Sequence, residues 1–259
     1  MNFPKLLVSF NKLKDLFFIN RNFYNNLLFP SLASRRDLYI KNWILNLPSG
    51  SKLLDAGAGI QRYRKFATHL DYTSQDFGEY QGGESFGNSV VKDWESKNCD
   101  IICDITNIPC DDETFDFVLC SEVIEHLENP YKAIMELKRI IKGGGTILIT
   151  APFRSLYHQS PYFYYSGFSK FWFMKNSHKL NLEILNIIPN GNYIEDLAGE
   201  IIRTNYFGPF LMRIITRLLT FPYLLILFIF NKYMKIKTPE ACTGYFVLLK
   251  KKNKNELFI

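Results

Sequence analysis

The sequence lacks several patterns that would assign it to common ligand-binding classes. It has no GxxxxGK[ST] loop, so it contains no P-loop for a nucleoside triphosphate. Its five cysteines form no CxxC pair and are odd in number, which argues against a zinc site and a disulfide framework. We therefore expect reduced thiols in a cytoplasmic protein. No secretory signal is expected, because Lys12, Lys14 and Asp15 interrupt the N-terminal apolar residues.

Positive charge is scarce for a nucleic-acid-binding protein. The chain has 31 lysines and arginines against 25 aspartates and glutamates, a formal net charge of +6. No dense stripe of basic and aromatic residues crosses the centre of the sequence, so DNA is not an expected partner. Aromatic residues, in contrast, make up 16% of the chain, which indicates an aromatic-lined pocket or a surface for an apolar partner.

The centre of the chain alternates apolar runs with helical patterns. Over residues 51–153 the runs are SKLLDAGAG, DYTSQDFG, CDIICDI, FDFVLCS and GTILITAP. Strands that alternate with helices predict a parallel α/β sheet. Asn129 as N-cap, Pro130 in the first turn and Gly143 as a stop mark the helix before the last of these runs.

The remaining segments are interpreted as helical additions to one domain. We predict an N-terminal helical cap over residues 1–47 and a domain over residues 48–259. That domain includes an apolar helical insertion at about 193–236, and CTGYFVLLKK reads as its final strand.

A glycine turn ends the first predicted strand. In LLDAGAG, Asp55, Gly57 and Gly59 stand at the carboxyl end of the strand, where open α/β sheets bind ligands. The third glycine of the dinucleotide fingerprint would fall at position 62, which is Arg62. The turn therefore predicts a ligand site that is not one for NAD, with a tight turn that binds no ligand as the alternative.

Two further aspartates end the neighbouring strands. Asp76 ends the second strand, where a carboxylate can accept hydrogen bonds from a ribose diol. Asp104 ends the third strand in CDITNIP, where a carboxylate and the backbone after it can face an adenine edge.

These motifs, in this order over about residues 51–153, resemble the class I S-adenosylmethionine-dependent methyltransferases, most closely the methyltransferase type 11 group. The resemblance implies an α/β fold with a Rossmann-like seven-stranded sheet in the order 3-2-1-4-5-7-6. The last strand would be antiparallel, with helical N-terminal and C-terminal decorations around the sheet. It also implies S-adenosyl-L-methionine as the cofactor.

The resemblance assigns roles to individual residues. Asp55, Gly57 and Gly59 would form the loop under the methionine part, Asp76 would bind the ribose, Asp104 and Ile105 would flank the adenine, and Ser121 would lie beside the methionine part and the reacting methyl. The stretch 77–99 departs from the family pattern by its length, and we assign it no role.

The segment SEVIEHL carries a cluster of acids and a histidine. A helix that starts near Ser121 would place Glu122, Glu125 and His126 on one face, where they can supply a general base or bind Mg²⁺ or Mn²⁺. The pattern resembles metal-binding ubiquinone-pathway O-methyltransferases and small-RNA 2′-O-methyltransferases. The RNA enzymes use a further histidine after the fifth strand, where His158 stands. We predict Glu125, His126 and His158 as catalytic residues without a metal, and a metal site or a purely structural role remains as an alternative.

An uncharged run extends from Leu218 to Asn231 between basic residues. It is shorter than the ~20 apolar residues of a membrane span, so a transmembrane helix is not expected. Basic flanks favour an interfacial membrane element over residues 206–236. A dimer interface and a core helix are the alternatives, and the oligomeric state stays open.

These observations together predict a methyltransferase that acts on a hydroxyl or amine of a small molecule, a sugar or a lipid-linked glycan intermediate. A metal-assisted RNA 2′-O-methyltransferase and a catalytically silent methyltransferase-like binding subunit are the alternatives. The predicted location is the cytoplasm, with peripheral contact to the inner face of the membrane.

Overall fold

The computed structural model describes Phe29 and residues 31–80, 98–205, 208–234 and 241–253. Most of the predicted N-terminal cap, at residues 1–28, lies outside the described residues. Residues 81–97 of the stretch predicted as a departure from the family pattern also lie outside them. The same holds for residues 206–207 and 235–236 of the predicted membrane element.

Seven strands form one sheet in the order β3-β2-β1-β4-β5-β7-β6, which confirms the predicted fold class. The strands are β1 (Lys52–Ala56), β2 (Asp71–Asp76), β3 (Ile101–Ile102), β4 (Phe115–Ser121), β5 (Ile141–Pro152), β6 (Leu182–Asn190) and β7 (Gly244–Lys251). The first five strands pair in parallel, and β7 pairs antiparallel with both β5 and β6. The closing strand therefore runs as the resemblance implied.

The central strands are apolar on both sides because they lie inside the sheet. Leu53 and Leu54 of β1, Leu119 of β4 and Leu148 of β5 are all fully buried. Leu53, Leu119 and Leu148 belong to one apolar cluster with residues of the first described helix. Continuous apolar runs of this kind are typical of parallel strands covered on both faces.

Five α-helices lie in the described residues. They are α1 (Leu32–Leu45), α2 (Pro130–Ile140), α3 (Lys170–Lys179), α4 (Tyr193–Thr204) and α5 (Phe210–Met234). The side chain of Asn129 caps α2 by accepting from the backbone N–H of Lys132 at 3.1 Å, as predicted. The predicted stop at Gly143 is wrong, because the chain is already extended at Ile141 and pairs there with Phe115.

The chain divides into two compact units, each made of two stretches. One comprises Met1–Arg35 with Gly191–Cys242, and the other comprises Arg36–Asn190 with Thr243–Ile259. The sheet belongs to the second unit, whereas α4 and α5 belong to the first. The boundary predicted at residue 47 lies within the second unit, because α1 continues past Arg35 and packs Ile40 and Ile44 on the sheet.

The apolar helix α5 is longer than the uncharged run that predicted it. It extends over 25 residues and continues through Pro222. At ~1.5 Å per residue it is about 37 Å long, so its length and composition suffice to cross a membrane. The length argument against a spanning helix is therefore wrong, since the helix begins before the uncharged run and includes Arg213 and Arg217.

Candidate active site

A cavity of about 670 Å³ opens where four parallel strands end. Its lining includes Gly57 after β1, Asp76 at the end of β2, Asp104 after β3, and Glu122 and Val123 after β4. The carboxyl ends of parallel strands are the usual ligand-binding edge of an open α/β sheet. All of these residues belong to the sheet unit.

The glycine turn after β1 packs directly against the turn after β4. Gly57 has a φ of +74°, and a Cβ atom there would lie 2.3 Å from Cγ2 of Val123. Its backbone N–H donates to the carbonyl of Gln75 at 2.8 Å. The position therefore requires glycine for its backbone conformation and for the close approach of Val123.

The carboxylate of Asp76 joins two backbone segments at the cavity wall. Oδ2 accepts from the N–H of Gly59 at 2.9 Å, and Oδ1 accepts from the N–H of Gly78 at 3.0 Å. Each carboxylate oxygen has a second lone pair, so Asp76 retains the capacity to accept from two ligand hydroxyls. The side chain is buried but lines the cavity, as a ribose-binding acid would.

Asp104 and Ile105 stand on a short loop that α2 fixes. Asp104 Oδ1 accepts from the N–H of Thr106 at 2.8 Å, which is an Asx turn. Farther along the loop, Arg139 donates to the carbonyl of Ile108 at 2.9 Å and pairs with Glu136 at 2.7 Å. The predicted adenine-side residues therefore line the cavity on a loop that is tied to a helix.

Three predicted cofactor residues stand apart from the cavity lining. Asp55 is buried and accepts from the hydroxyl of Tyr72 at 2.6 Å, and burial raises the pKa of Asp55 to about 6. The hydroxyl of Ser121 lies 2.9 Å from that of Thr150 on β5. Gly59 contributes its N–H to Asp76 rather than a surface to the cavity. These three residues support the cavity wall but do not line the cavity.

The helix predicted from Ser121 does not form. Glu122 has a φ of +55°, which is incompatible with a right-handed helix, and only a short 3₁₀ turn follows at Ile124–His126. Glu122 instead pairs with Arg36 of α1 at 3.0 Å and accepts from the hydroxyl of Thr150 at 3.0 Å. Glu122 is thereby turned to different partners from Glu125 and His126.

Glu125, His126 and His158 come together beside the cavity. Potential metal-ligand atoms of the three side chains all lie within 4.8 Å of one another. The two imidazole rings meet edge to face at 4.8 Å between centroids. His126 Nε2 lies 3.7 Å from a carboxylate oxygen of Glu125. The sequence predicted these three residues, and the structure places them in one cluster.

Backbone carbonyls fix the tautomers of both histidines. Nδ1 of His126 lies 2.5 Å from the carbonyl of Tyr162, and Nδ1 of His158 lies 2.9 Å from that of Leu156. A carbonyl oxygen can only accept, so each Nδ1 carries the proton and each Nε2 keeps its lone pair. Among the described residues, His126 Nε2 and both carboxyl oxygens of Glu125 are buried without a hydrogen-bond partner.

Burial shifts the titration of this cluster towards neutral forms. It raises the pKa of Glu125 well above its usual range, and the nearby Glu122 adds to the effect. It also lowers the pKa of His126 to about 4. Burial thus favours the neutral carboxyl group of Glu125 and the neutral imidazole of His126. These two side chains can take up a proton. With Glu125 ionised, they can, together with His158, bind a divalent cation through one oxygen and two nitrogens.

The aromatic segment after β5 divides between the cavity and the core. Tyr162 and Tyr164 line the cavity, and Tyr162 packs edge to face on Phe77 at 5.0 Å between ring centroids. The N–H groups of Tyr164 and Tyr165 both donate to the carbonyl of Glu125 at 3.1 Å. Phe168 and Phe173 are instead buried. The aromatic residues of this segment therefore have two roles: some line the cavity and others belong to the core.

Sequence reasoning missed several residues of the site. The side chain of Gln75 accepts from the N–H of Gly57 through Oε1 at 3.2 Å and donates through Nε2 to the carbonyl of Cys103 at 2.7 Å. It therefore links the ends of the first and third strands. Phe77, Tyr80 and Lys132 line the cavity. Gln75 and Phe77 stand on either side of Asp76, and this position is the signal that could have identified these two residues.

Comparison with known proteins agrees with this geometry. Residues 54–149 match a family model described as a methyltransferase domain. An uncharacterized protein of Methanocaldococcus jannaschii is 49% identical over 49 residues, which are 19% of this chain and 24% of that protein. A tRNA (carboxymethyluridine(34)-5-O)-methyltransferase of Arabidopsis thaliana is 31% identical over 109 residues, which are 40% of this chain and 25% of that protein. The chain thus spans about a quarter of the length of these relatives.

A solved structure shares the fold at low sequence identity. The 4+2 cyclase SpnF superposes with a TM-score of 0.51 at 17% identity, covering 85% of this chain and 82% of that one. The superposition and the strand order show the shared fold. The family match identifies residues 54–149 as a methyltransferase domain, and S-adenosylmethionine is the cofactor of this family.

Proposed function

We propose that this methyltransferase domain transfers the methyl group of S-adenosylmethionine to a hydroxyl or amine of a small molecule, a sugar or a lipid-linked glycan intermediate. The observation that carries the proposal is the cavity in which Gly57, Asp76 and Asp104 follow three adjacent strand ends. Asp76 accepts from the ribose hydroxyls, and the loop of Asp104 and Ile105 faces the adenine. The Gly57 turn lies under the methionine part.

The chemistry demands positioning and removal of one proton. The sulfonium already activates the methyl, so the acceptor oxygen or nitrogen forms a bond to carbon while the carbon–sulfur electron pair returns to sulfur. The proton of the acceptor moves to Nε2 of His126, which keeps its lone pair because Nδ1 is bound to the Tyr162 carbonyl. Glu125, 3.7 Å away, stabilises the imidazolium when it is itself ionised.

The acceptor end of the cavity supports an acceptor with an apolar or ring-shaped surface. Tyr80, Tyr162 and Tyr164 line it, and His126 stands among them. Aromatic walls suit both sugars and apolar groups. The cytoplasm, or the inner face of a membrane, is the location we propose for such an acceptor.

Calorimetry with S-adenosylhomocysteine and mass spectrometry test this proposal in sequence. Asp76→Asn should weaken binding about ten- to a hundred-fold, since a charge-assisted hydrogen bond contributes ~1.5–3 kcal/mol. Asp71→Asn, an exposed position on the same strand, is the matched control and should leave affinity unchanged. A folded wild-type protein that does not bind S-adenosylhomocysteine would contradict the proposal.

Transfer is then followed with deuterium-labelled S-adenosylmethionine and a cell extract. A small molecule or glycan heavier by one labelled methyl supports the proposed acceptor class. Cofactor binding without any labelled product would instead identify a catalytically silent binding subunit.

RNA is a second candidate acceptor, favoured by one specific observation. The cluster of Glu125, His126 and His158 offers one oxygen and two nitrogen donors within 4.8 Å, a set that fits Mg²⁺ or Mn²⁺. A cation held by these three side chains would lower the pKa of an acceptor hydroxyl that it bound. One relative is named as a tRNA methyltransferase. Label that appears in the RNA fraction, and only with Mn²⁺ present, would favour this candidate.

A further inference from the structure

Helix α5 presents an apolar face that is exposed over its whole length. Its exposed apolar residues are Phe210, Leu211, Met212, Ile215, Leu218, Leu219, Tyr223, Leu225, Ile226, Ile229, Phe230 and Tyr233. At 3.6 residues per turn, all of these except Phe210 fall on one side of the helix. No charged residue shares that side. Leu219 and Tyr233 are 73% and 74% exposed, so no described residue of the unit covers this surface.

The opposite side of α5 is packed against α4. Leu224 and Leu227 are buried in one cluster with Ile194, Ala198 and Ile202 of α4. Polar contacts tie the two helices at both ends. The Thr220 hydroxyl donates to Asn205 at 3.2 Å, and the Asn192 side chain donates to Asn231 at 2.8 Å. The two helices therefore behave as one layer with an apolar outer face on the α5 side.

The outer side of α4 is charged. Asp196, Glu200 and Arg203 lie opposite its buried residues at helical spacing. Glu195 binds Arg35 through two hydrogen bonds, at 2.6 and 2.8 Å. The α4–α5 layer thus has one charged surface and one apolar surface, which is the profile of an element at an interface.

A spanning orientation conflicts with this packing. At ~1.5 Å per residue, the 12 residues of α4 extend about 18 Å, well short of the ~30 Å hydrocarbon core. If α5 crossed the bilayer with α4 attached, the charges of α4 would enter the hydrocarbon. If α5 crossed alone, Thr220 and Asn231 would lose their partners there. An orientation parallel to the membrane satisfies every one of these groups.

Charge selects lipid over a second copy as the occupant of this face. Helix α5 contains Arg213, Arg217 and Lys232 and no acidic residue. In a symmetric dimer through the apolar face, α5 of the second copy would offer no acidic partner to these cations. Anionic headgroups instead complement them, and Tyr223 and Tyr233 suit the boundary between headgroups and acyl chains.

We propose that α5 lies in the plane of an anionic membrane surface, with Leu219, Ile226 and Tyr233 in the acyl boundary and α4 on the aqueous side. The inference rests on the α4–α5 unit alone. It therefore stands or fails independently of the proposed methyl transfer.

Vesicle flotation of the full chain tests the proposal. Wild-type protein should float with vesicles of phosphatidylcholine and phosphatidylglycerol, more weakly with pure phosphatidylcholine, and less as salt rises, without complete loss. Leu219→Glu with Ile226→Glu should reduce the bound fraction at least tenfold. Phe171→Glu with Leu185→Glu adds the same charge at exposed apolar positions of the sheet unit and should bind as wild type does. Equal loss in both double variants would overturn the proposal.

Depth measurements separate the two membrane orientations. Single tryptophans introduced at Met212, Leu219 and Tyr233 are compared by quenching with brominated lipids, against the constant signal of the native tryptophans. The in-plane orientation predicts equal, shallow depths at all three positions. A deep Leu219 position between two shallow ones would mean that α5 spans the bilayer. Absence of vesicle binding at low salt, with twice the monomer mass in light scattering, would mean that this face is a dimer interface. Either result overturns the proposal, as does a soluble monomer that does not bind vesicles.

Discussion

Replacement of Gly57 by alanine measures how tightly the two turns under the cavity are packed. An added Cβ would lie 2.3 Å from Cγ2 and 2.9 Å from Cγ1 of Val123, and the φ of +74° is unfavourable for alanine. The left-handed backbone costs ~1–2 kcal/mol, and overpacking typically adds ~1–3 kcal/mol. We therefore expect Gly57→Ala to lower the free energy of unfolding by ~2–5 kcal/mol.

Gly50 provides a matched control for the backbone contribution. Its φ is +77°, but an added Cβ would have no neighbouring atom within 4 Å. Gly50→Ala should therefore cost only the conformational part, ~1–2 kcal/mol. The difference between the two variants isolates the contact with Val123.

A double-mutant cycle with Val123→Ala completes the test. Removal of both Cγ atoms should relieve part of the clash, so Gly57→Ala should be less harmful by ~1–3 kcal/mol in that background. Urea unfolding of the four proteins gives the coupling energy. Strictly additive effects, or a Gly57 variant no less stable than the Gly50 variant, would refute the packing argument.

Two further predictions concern ionisable groups. Asp55 has a pKa raised to about 6 by burial, so its ionisation penalises the folded state, and the stability it contributes below about pH 4 is lost as pH rises through about 6. Asp55→Asn removes this loss. From pH 4 to 7 the unfolding free energy of wild type should fall ~2–3 kcal/mol relative to the variant, and a constant difference in urea unfolding would contradict this. Calorimetric titration with Mn²⁺ should show no stoichiometric binding. One bound ion, lost in His126→Gln and kept in His178→Gln, would instead support the RNA candidate.

The strand order was predictable because local signals and family resemblance agreed at each strand end. Gly57 marks the first βα turn by its backbone requirement. Asp76 ends β2 and Asp104 follows the end of β3, at the same edge of the sheet. These positions depend on residues close in sequence. The cavity lining at Gly57, Asp76, Asp104 and Ile105 followed from them.

The geometry around Glu122 was not predictable from spacing. Helical periodicity grouped Glu122 with Glu125 and His126. The φ of +55° at Glu122 is incompatible with that helix and separates its side chain from the other two. Its orientation depends on Arg36, which lies far away in sequence on α1, and on Thr150 of β5. A tertiary ion pair of this kind overrides the local pattern. The segment SEVIEHL contains no signal that predicts this ion pair.

The extent of α5 was missed for a related reason. Along the sequence, Arg213 and Arg217 mark the start of the uncharged run. On the helix, however, they fall on the side of Thr220 and Leu224, away from the exposed apolar face. The apolar face therefore continues past both arginines to Leu211, and the relevant length is that of one helix face rather than of an uninterrupted run. The two charges that precede the uncharged run thus leave the apolar face of α5 intact.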